Sequence, residues 1–383
     1  MLRRFAGPQA HELSLLCRPT GDRADASWQA EDAYRQLAAL LRAEKASFED
    51  VACETLLVRD VQRDLAAILD VRGRVLAELG LDSVAPLPRF IQQPPLAPGA
   101  AFELVASAVV PQTGTRSVRN VRAAPSCPCE GCTRSGARVL RAGDRTLLTT
   151  TNLYGTGHDT FEQARNAFGA AETLLRQCGM EFGDVVRIWI HLRDIGRDYA
   201  ALNRARRDFF QRRGITRLPA STGVQGGPFP RAHDVTVSVA ALRSSGSLDV
   251  APVSTPTLNE ASSYGADFSR GLRLADRNSV TLLVSGTASI DEQGRTIHAG
   301  DVTAQAERML HNVATLLAQH GAGFADVISG VTYVKHATDA PAVRALCRAR
   351  GYDGFPCALV EASLCRPDLL CETEAVAIRP AEA

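Results

Sequence analysis

Three stretches of this chain carry one signature. A Gln-Ala pair opens each: Gln29-Ala30, Gln163-Ala164 and Gln305-Ala306. A Leu-Leu pair follows at the same distance every time, at Leu40-Leu41, Leu174-Leu175 and Leu316-Leu317. Phe-x-Asp-Val comes next, starting at Phe48, Phe182 and Phe324, and a cation stands at a constant distance beyond it: Arg59, Arg193 and Lys335. Chance does not hold four offsets in three places, so the chain folds as three related units.

The second unit is the most readable. From Gln163 to Cys178 the apolar residues Ala164, Phe168, Ala171, Leu174 and Leu175 fall on one helical face, and Gly179 stands where a helix ends. Val185–Leu192 reads as a strand, Tyr199–Arg212 as a second helix and Val235–Leu242 as a further strand. The third unit repeats the order: strand Val280–Val284, a helix from Ala304, strand Val331–Val334, helix Ala340–Arg350, then strands Ala358–Ala362 and Cys371–Ile378. The expected fold class is α+β, with helices layered on one face of each sheet. Two segments rich in turn formers set the expected boundaries. Unit 1 covers 1–112, a Cys-containing connector 113–136, unit 2 137–244, a linker 245–257 and unit 3 258–383.

Charge narrows the function classes. There are 43 Lys plus Arg against 42 Asp plus Glu, a net charge of +1. That balance argues against a nucleic-acid track, which needs a basic excess. No apolar run approaches the roughly 18 residues of a membrane span, and no apolar signal core follows Arg3-Arg4. The expected location is cytoplasmic, with no membrane or nucleic-acid partner. Lys45 and Lys335 are the only lysines, so Schiff-base chemistry has few candidates.

The unit order, the loop Val284-Ser285-Gly286-Thr287-Ala288-Ser289, Val360-Glu361-Ala362 and the end Glu372 to Ile378 resemble the Rid/YjgF family of reactive-intermediate deaminases. Members of that family are homotrimers with ligand clefts between neighbours. The resemblance implies three tandem Rid-like (chorismate-mutase-like) repeats forming a pseudo-trimeric barrel. The chain would then be a monomer, or a dimer through another surface. A narrower resemblance covers units 2 and 3. Arg187-Ile188-Trp189, Leu218 to Gly223, Phe268-Ser269-Arg270, Val284 to Ile290, Gly300-Asp301 and Cys365-Arg366-Pro367-Asp368-Leu369-Leu370-Cys371-Glu372 are similar to the chorismatases. Those enzymes hydrolyse the enolpyruvyl ether of chorismate without a cofactor, and their matching glutamate is taken to be the acid/base. The deaminases place an arginine at position 357 to bind an imino-acid carboxylate. Here the residue is Cys357, with Ser221 at the corresponding place of unit 2, which argues against ordinary imine deamination.

The expected catalytic residue is Glu372, between Cys371 and Thr373 on the last strand. Apolar surroundings raise a carboxyl pKa and make it a proton donor near neutral pH. Glu374 shares its strand face, and spacing alone does not separate the two. Expected substrate-binding residues are Arg187, Arg270 and Arg366 for carboxylates, with Ser285, Gly286, Thr287 and Cys365 lining the pocket. For any one arginine the plain alternative is a surface cation or an ion pair.

Cys127-x-Cys129-x-x-Cys132 has the spacing of metal ligands, and a structural zinc site is one expectation for it. It lacks an evident fourth ligand; Cys178 or another chain are the options, and a redox-sensitive loop or unpaired thiols remain open. The leading expectation is a chorismatase-like hydrolase releasing pyruvate from chorismate or a related carboxylated enol ether, in secondary metabolism. The alternatives are a Rid-type enamine or imine hydrolase or tautomerase in a biosynthetic pathway, and a small-molecule-binding protein without turnover.

Overall fold

The computed structural model describes all residues except 21, 22, 24, 113, 115, 262–264, 382 and 383. Residues 113 and 383, at the edges of two expected segments, therefore lie outside the described residues. Unit 1 contains β1 (Leu2–Ala6), β2 (Ala10–Cys17), α1 (Ala26–Ala43), β3 (Val51–Val58), α2 (Val61–Glu78), β4 (Arg89–Gln92) and β5 (Phe102–Pro111). Unit 2 contains β6 (Arg116–Arg122), α3 (Glu130–Thr133), β7 (Gly136–Ala142), β8 (Arg145–Thr150), α4 (Thr160–Gln177), β9 (Val185–Leu192), α5 (Ile195–Arg212), β10 (Ala220–Gln225) and β11 (Val235–Ser244). Unit 3 contains β12 (Asp249–Pro252), β13 (Gly271–Ala275), β14 (Ser279–Ala288), α6 (Val302–Ala318), β15 (Val327–Val334), α7 (Ala340–Ala349), β16 (Cys357–Glu361) and β17 (Cys371–Pro380).

The three sheets share one plan. Their orders are β1-β2-β5-β3-β4, β10-β9-β11-β8-β7-β6 and β12-β13-β14-β17-β15-β16. In each, a parallel edge strand follows the second long helix: β4 on β3, β10 on β9 and β16 on β15. Helices start where an aspartate satisfies the free backbone N–H groups of the first turn. Asp159 accepts from Glu162 N, Asp194 from Arg197 N and Asp301 from Ala304 N. Each sheet packs one face on its own helices, giving a main apolar core per unit, and that of unit 3 also takes in Leu16, Leu57 and Ile91 of unit 1 and Val224 of unit 2. The opposite faces turn toward one another around a cavity of about 270 Å³.

Two segments expected to be unstructured carry strands. Arg116–Arg122 pairs with β7, and Asp249–Pro252 pairs with β13. Both extend an existing sheet edge, where the backbone ladder supplies the partners and side-chain periodicity is weak, so composition alone reads as linker. The sheets do not join in a continuous ladder among the described residues. Single bridges link the units in a cycle instead: Gln92 with Gly227, Ala220 with Ser269 and Pro95 with Val360. No helix among the described residues is long and apolar enough to cross a membrane.

The repeated signature has a structural cause. Gln29, Gln163 and Gln305 are all buried. Each clamps the loop before the last strand of its unit. Gln29 donates to Gly99 O and accepts from Ala101 N, Gln163 accepts from Asp234 N, and Gln305 donates to Asp368 O and accepts from Leu370 N. The repeated cation holds the same loop: Arg59 donates to Pro95 and Ala100, Arg193 to Pro228 and His233, and Lys335 to Pro367. The repeated Asp caps the turn before each central strand, with Asp50 on Ser47 N, Asp184 on Glu181 N and Asp326 on Gly323 N.

Replacing Gln305 by Leu leaves the Leu370 N–H and the Asp368 carbonyl without these partners. An unsatisfied buried polar group costs about 1–3 kcal/mol, so Gln305→Leu lowers stability by that order, read from the denaturant midpoint at unchanged slope.

Candidate active site

The strand β9 sorts its side chains by alternation. Ile188, Ile190 and Leu192 enter the unit 2 core, and Arg187, Trp189 and His191 face the other way. β17 does the same: Cys371, Ala375 and Ala377 lie in the unit 3 core. Glu372 and Glu374 therefore share the inner face, and their surroundings separate them.

Glu374 is part of the seam between units 2 and 3. Its Oε2 accepts from Arg187 at 2.8 Å and its Oε1 from Trp189 Nε1 at 2.9 Å. Burial would raise its pKa, but the Arg187 charge, with bonds from Thr222 and Trp189, more than offsets it and holds Glu374 below the usual value. Arg187 also donates to Val284 O and Thr222 Oγ1. Its guanidinium is committed to a buried ion pair, and it lines the central cavity rather than the site described next.

Glu372 is 5% exposed and opens into a small cavity of about 40 Å³ between units 2 and 3. Among the described residues it has no hydrogen-bonding partner in the protein. Burial, and then the negative charge of Glu374, push its pKa up to about 8, against the weaker opposing pull of Arg270 and Arg187. It is therefore a neutral carboxylic acid at neutral pH. Gly286 makes room for it: a Cβ there would collide with Glu372 Oε1.

Gly286, Arg270, Arg366 and Cys365 line the same cavity. Arg270 donates to Asn259 O and Oδ1, and Arg366 donates to Gly294 O, so backbone and amide oxygens orient both guanidinium groups. Burial pushes the Cys365 thiol up to about 12, so it stays neutral. Ser285 and Thr287 are placed differently from expectation. Ser285 Oγ accepts from Ser221 N and donates to Ser269 O, and Thr287 Oγ1 donates to Ser285 O. Both hydroxyls are buried and spent on the bulge of β14, where pairing with β17 slips between Val284 and Thr287. The Ser285 hydroxyl braces β10, and Gly286 is the bulge residue that lines the cavity.

Unit 2 adds residues the sequence did not single out. Tyr199, Leu202 and Arg206 of α5, with Gly223 of β10, complete the wall. Two guanidinium groups lie near the Phe268 ring, Arg206 at 5.5 Å and Arg270 at 5.6 Å from its centroid. The spacing of 199, 202 and 206 on one helical face was the available signal, but nothing local says that this face meets another unit.

The other two clefts differ. Glu103 stands opposite Leu57, as Glu372 stands opposite Tyr333, so the two glutamates share a register. Glu103 is closed off by Arg18, 2.6 Å away, which also donates to Cys357 O of unit 3. In unit 2 the register position is Thr236, opposite His191. There Asn152 caps the edge strand of unit 1 by accepting from Phe90 N. Of the three, only the cleft between units 2 and 3 combines, among the described residues, an acid without a protein partner and open space.

The three cysteine thiols also converge. The fourth donor beside them is His233, in place of the expected Cys178 or a second chain. Cys178 instead caps the C-terminus of α4.

A family model described as Endoribonuclease L-PSP matches residues 127–243 and 264–379. A 3-hydroxybenzoate synthase of Streptomyces hygroscopicus is 30% identical over 247 residues, which cover 58% of this chain and 70% of that protein. A chorismatase of Streptomyces hygroscopicus is 30% identical over 173 residues, 41% of this chain and 48% of that protein. A crystal structure of a chorismatase has the same fold at a TM-score of 0.57 and 22% identity, covering 72% of this chain and 82% of that one.

The two glutamates respond oppositely to neutralisation. With its folded pKa raised from 4.5 to about 8, Glu372 contributes stability that is full below the unfolded value and lost as pH rises through the folded one. Glu372→Gln therefore gains stability relative to the parent between those two values, on the order of a few kcal/mol. Glu374→Gln leaves Arg187 uncompensated and loses about 3–5 kcal/mol. Melting curves across pH check both signs.

Proposed function

Because the chain belongs to the Endoribonuclease L-PSP family, the Rid/YjgF family, we propose that it is a chorismatase-like enzyme. Its substrate is chorismate or a related carboxylated enol ether. The observation that carries this reading is the buried, neutral Glu372 facing a cavity flanked by Arg270 and Arg366. An enol ether is a carbon base, and protonating it needs an acid that is still protonated at working pH.

The reaction needs no electron transfer. Glu372 gives its proton to the methylene carbon of the enolpyruvyl group, and the positive charge develops on the ether carbon. Water adds there, and the hemiketal collapses to pyruvate and the ring alcohol. The proton lost by the water restores the acid. Arg270 and Arg366 hold the carboxylates, and Phe268, Leu369 and Ile290 exclude bulk water from the acid. Neutral Cys365 serves as a wall group in this scheme. No cofactor takes part, and the site needs no second chain, since both walls come from one polypeptide.

The matched 3-hydroxybenzoate synthase favours a second outcome for the ring. Loss of one further water from the ring diol makes it a hydroxybenzoate. Both outcomes release pyruvate. A lactate-dehydrogenase-coupled assay on chorismate tests the shared step, and mass analysis of the ring product tells diol from hydroxybenzoate. Absence of pyruvate with correctly folded protein rejects the reading.

Glu372→Gln lowers kcat by about 10²–10⁴-fold with a much smaller change in KM. Activity of the parent falls as pH rises through about 8, where the acid loses its proton. Gly286→Ala acts through position alone: the methyl displaces the Glu372 carboxyl and lowers kcat while the pH profile shifts. Steady-state rates from acid to mildly alkaline pH check all three.

A further inference from the structure

We propose that Cys127, Cys129, Cys132 and His233 bind one zinc ion, which pins the connector to the unit 2 loop that abuts unit 1.

The donors are already gathered. Cys127 Sγ lies 2.9 Å from Cys129 Sγ and 3.3 Å from Cys132 Sγ. His233 Nε2 is 3.9, 3.2 and 3.7 Å from the sulfurs of Cys127, Cys129 and Cys132. All four donor atoms lie within 4.8 Å of one another. Tetrahedral zinc, with Zn–S of about 2.3 Å and Zn–N of about 2.0–2.1 Å, places its donors about 3.5–3.8 Å apart. The observed set fits after a small expansion. Three thiols and an imidazole suit zinc by ligand type. A disulfide between any two cysteines would leave the third thiol and the imidazole facing it without a role. The thiol protons go to solvent as the metal binds.

The surroundings fix each donor. Cys129 opens the single turn of α3, and its sulfur accepts from Cys132 N at 3.5 Å, as a metal-binding knuckle requires. Gly131 lets that turn lie directly on the Phe229 carbonyl, where a Cβ would collide. The His233 ring packs at a tilt against Tyr154 with centroids 4.7 Å apart. Arg193, the repeated cation of unit 2, holds the His233 carbonyl at 2.6 Å. Cys132 and His233 are 2% and 4% exposed.

Position explains the use. His233 belongs to the loop that Gln163 and Arg193 clamp, the counterpart in unit 2 of the loop that carries Cys365 and Arg366 in unit 3. The same loop touches unit 1 through the Gly227–Gln92 bridge and the edge contact of Phe229 with Phe90. The metal therefore ties the connector to this loop, which itself contacts unit 1. None of the four ligands lines the Glu372 cavity. With four protein donors the coordination is closed, which is the pattern of a structural site.

The test uses the whole chain, with any affinity tag removed, made in zinc-replete medium. Elemental analysis is expected to find about one zinc per chain. Cys132→Ser and His233→Ala bring it to background, and Cys347→Ser, remote in α7, keeps it. Cobalt(II) added to reduced metal-free protein gives the intense visible bands of a tetrahedral ion and the near-ultraviolet bands of thiolate ligation. Chelation lowers the melting temperature of the parent. The proposal is overturned by parent protein without zinc that gives no cobalt spectrum, by a disulfide within Cys127–Cys132 in freshly isolated protein, or by zinc retained in both ligand variants. If the variants do not fold, the zinc content and cobalt spectrum of the parent decide alone.

Discussion

Arg187 and Glu374 meet at 2.8 Å across the seam of units 2 and 3, with both side chains at least nine-tenths buried. Each needs the other, because an unpaired charge there would be prohibitively costly. Their partners are shared. Thr222 Oγ1 accepts from Arg187 and from Gly286 N, so the edge strand β10, the bulge of β14 and the end of β17 are tied at one point. Everything at the candidate site rests on this tie. It fixes Gly286 under the Glu372 carboxyl, and it keeps a permanent negative charge near an acid that must stay protonated. One glutamate is held ionised by an arginine and its neighbour is held neutral by burial and by that ionised glutamate. Environments that push two like groups apart are how a site obtains an acid at neutral pH.

A threefold plan in one polypeptide frees the three clefts to diverge. A homotrimer has identical clefts; here each has its own residues. The cleft between units 3 and 1 retains a glutamate, Glu103, but Arg18 fills the space before it. The cleft between units 1 and 2 has Thr236 in that place, and the cysteine and histidine cluster lies along the same seam. The repeated Gln, Asp and cation were retained in all three units because they solve a problem every unit shares, a loop with backbone groups to satisfy before the last strand. Chemistry needs its residues in one cleft; folding needs its residues in three.

The amino-acid sequence by itself determined the three units, since the offsets from Gln29, Gln163 and Gln305 recur, and the periodicity of unit 2 placed β9 at Val185–Leu192. It also determined that two acids face the same way on β17, because side-chain alternation is a local property. Tertiary structure decided what those acids do. Glu374 meets an arginine 187 positions earlier in the chain, and Glu372 meets open space, and neither is written in the flanking residues. The same holds for Ser285, whose hydroxyl is spent on Ser221 and Ser269, and for Arg187, whose charge is spent on Glu374. Tyr199 and Arg206 enter the cavity only because α5 packs at a seam between units. His233 joins the cysteines from 101 residues away. Spacing reports contacts along one helix or strand, and contacts between units depend on how whole sheets dock, which only packing and the satisfaction of buried polar groups can fix.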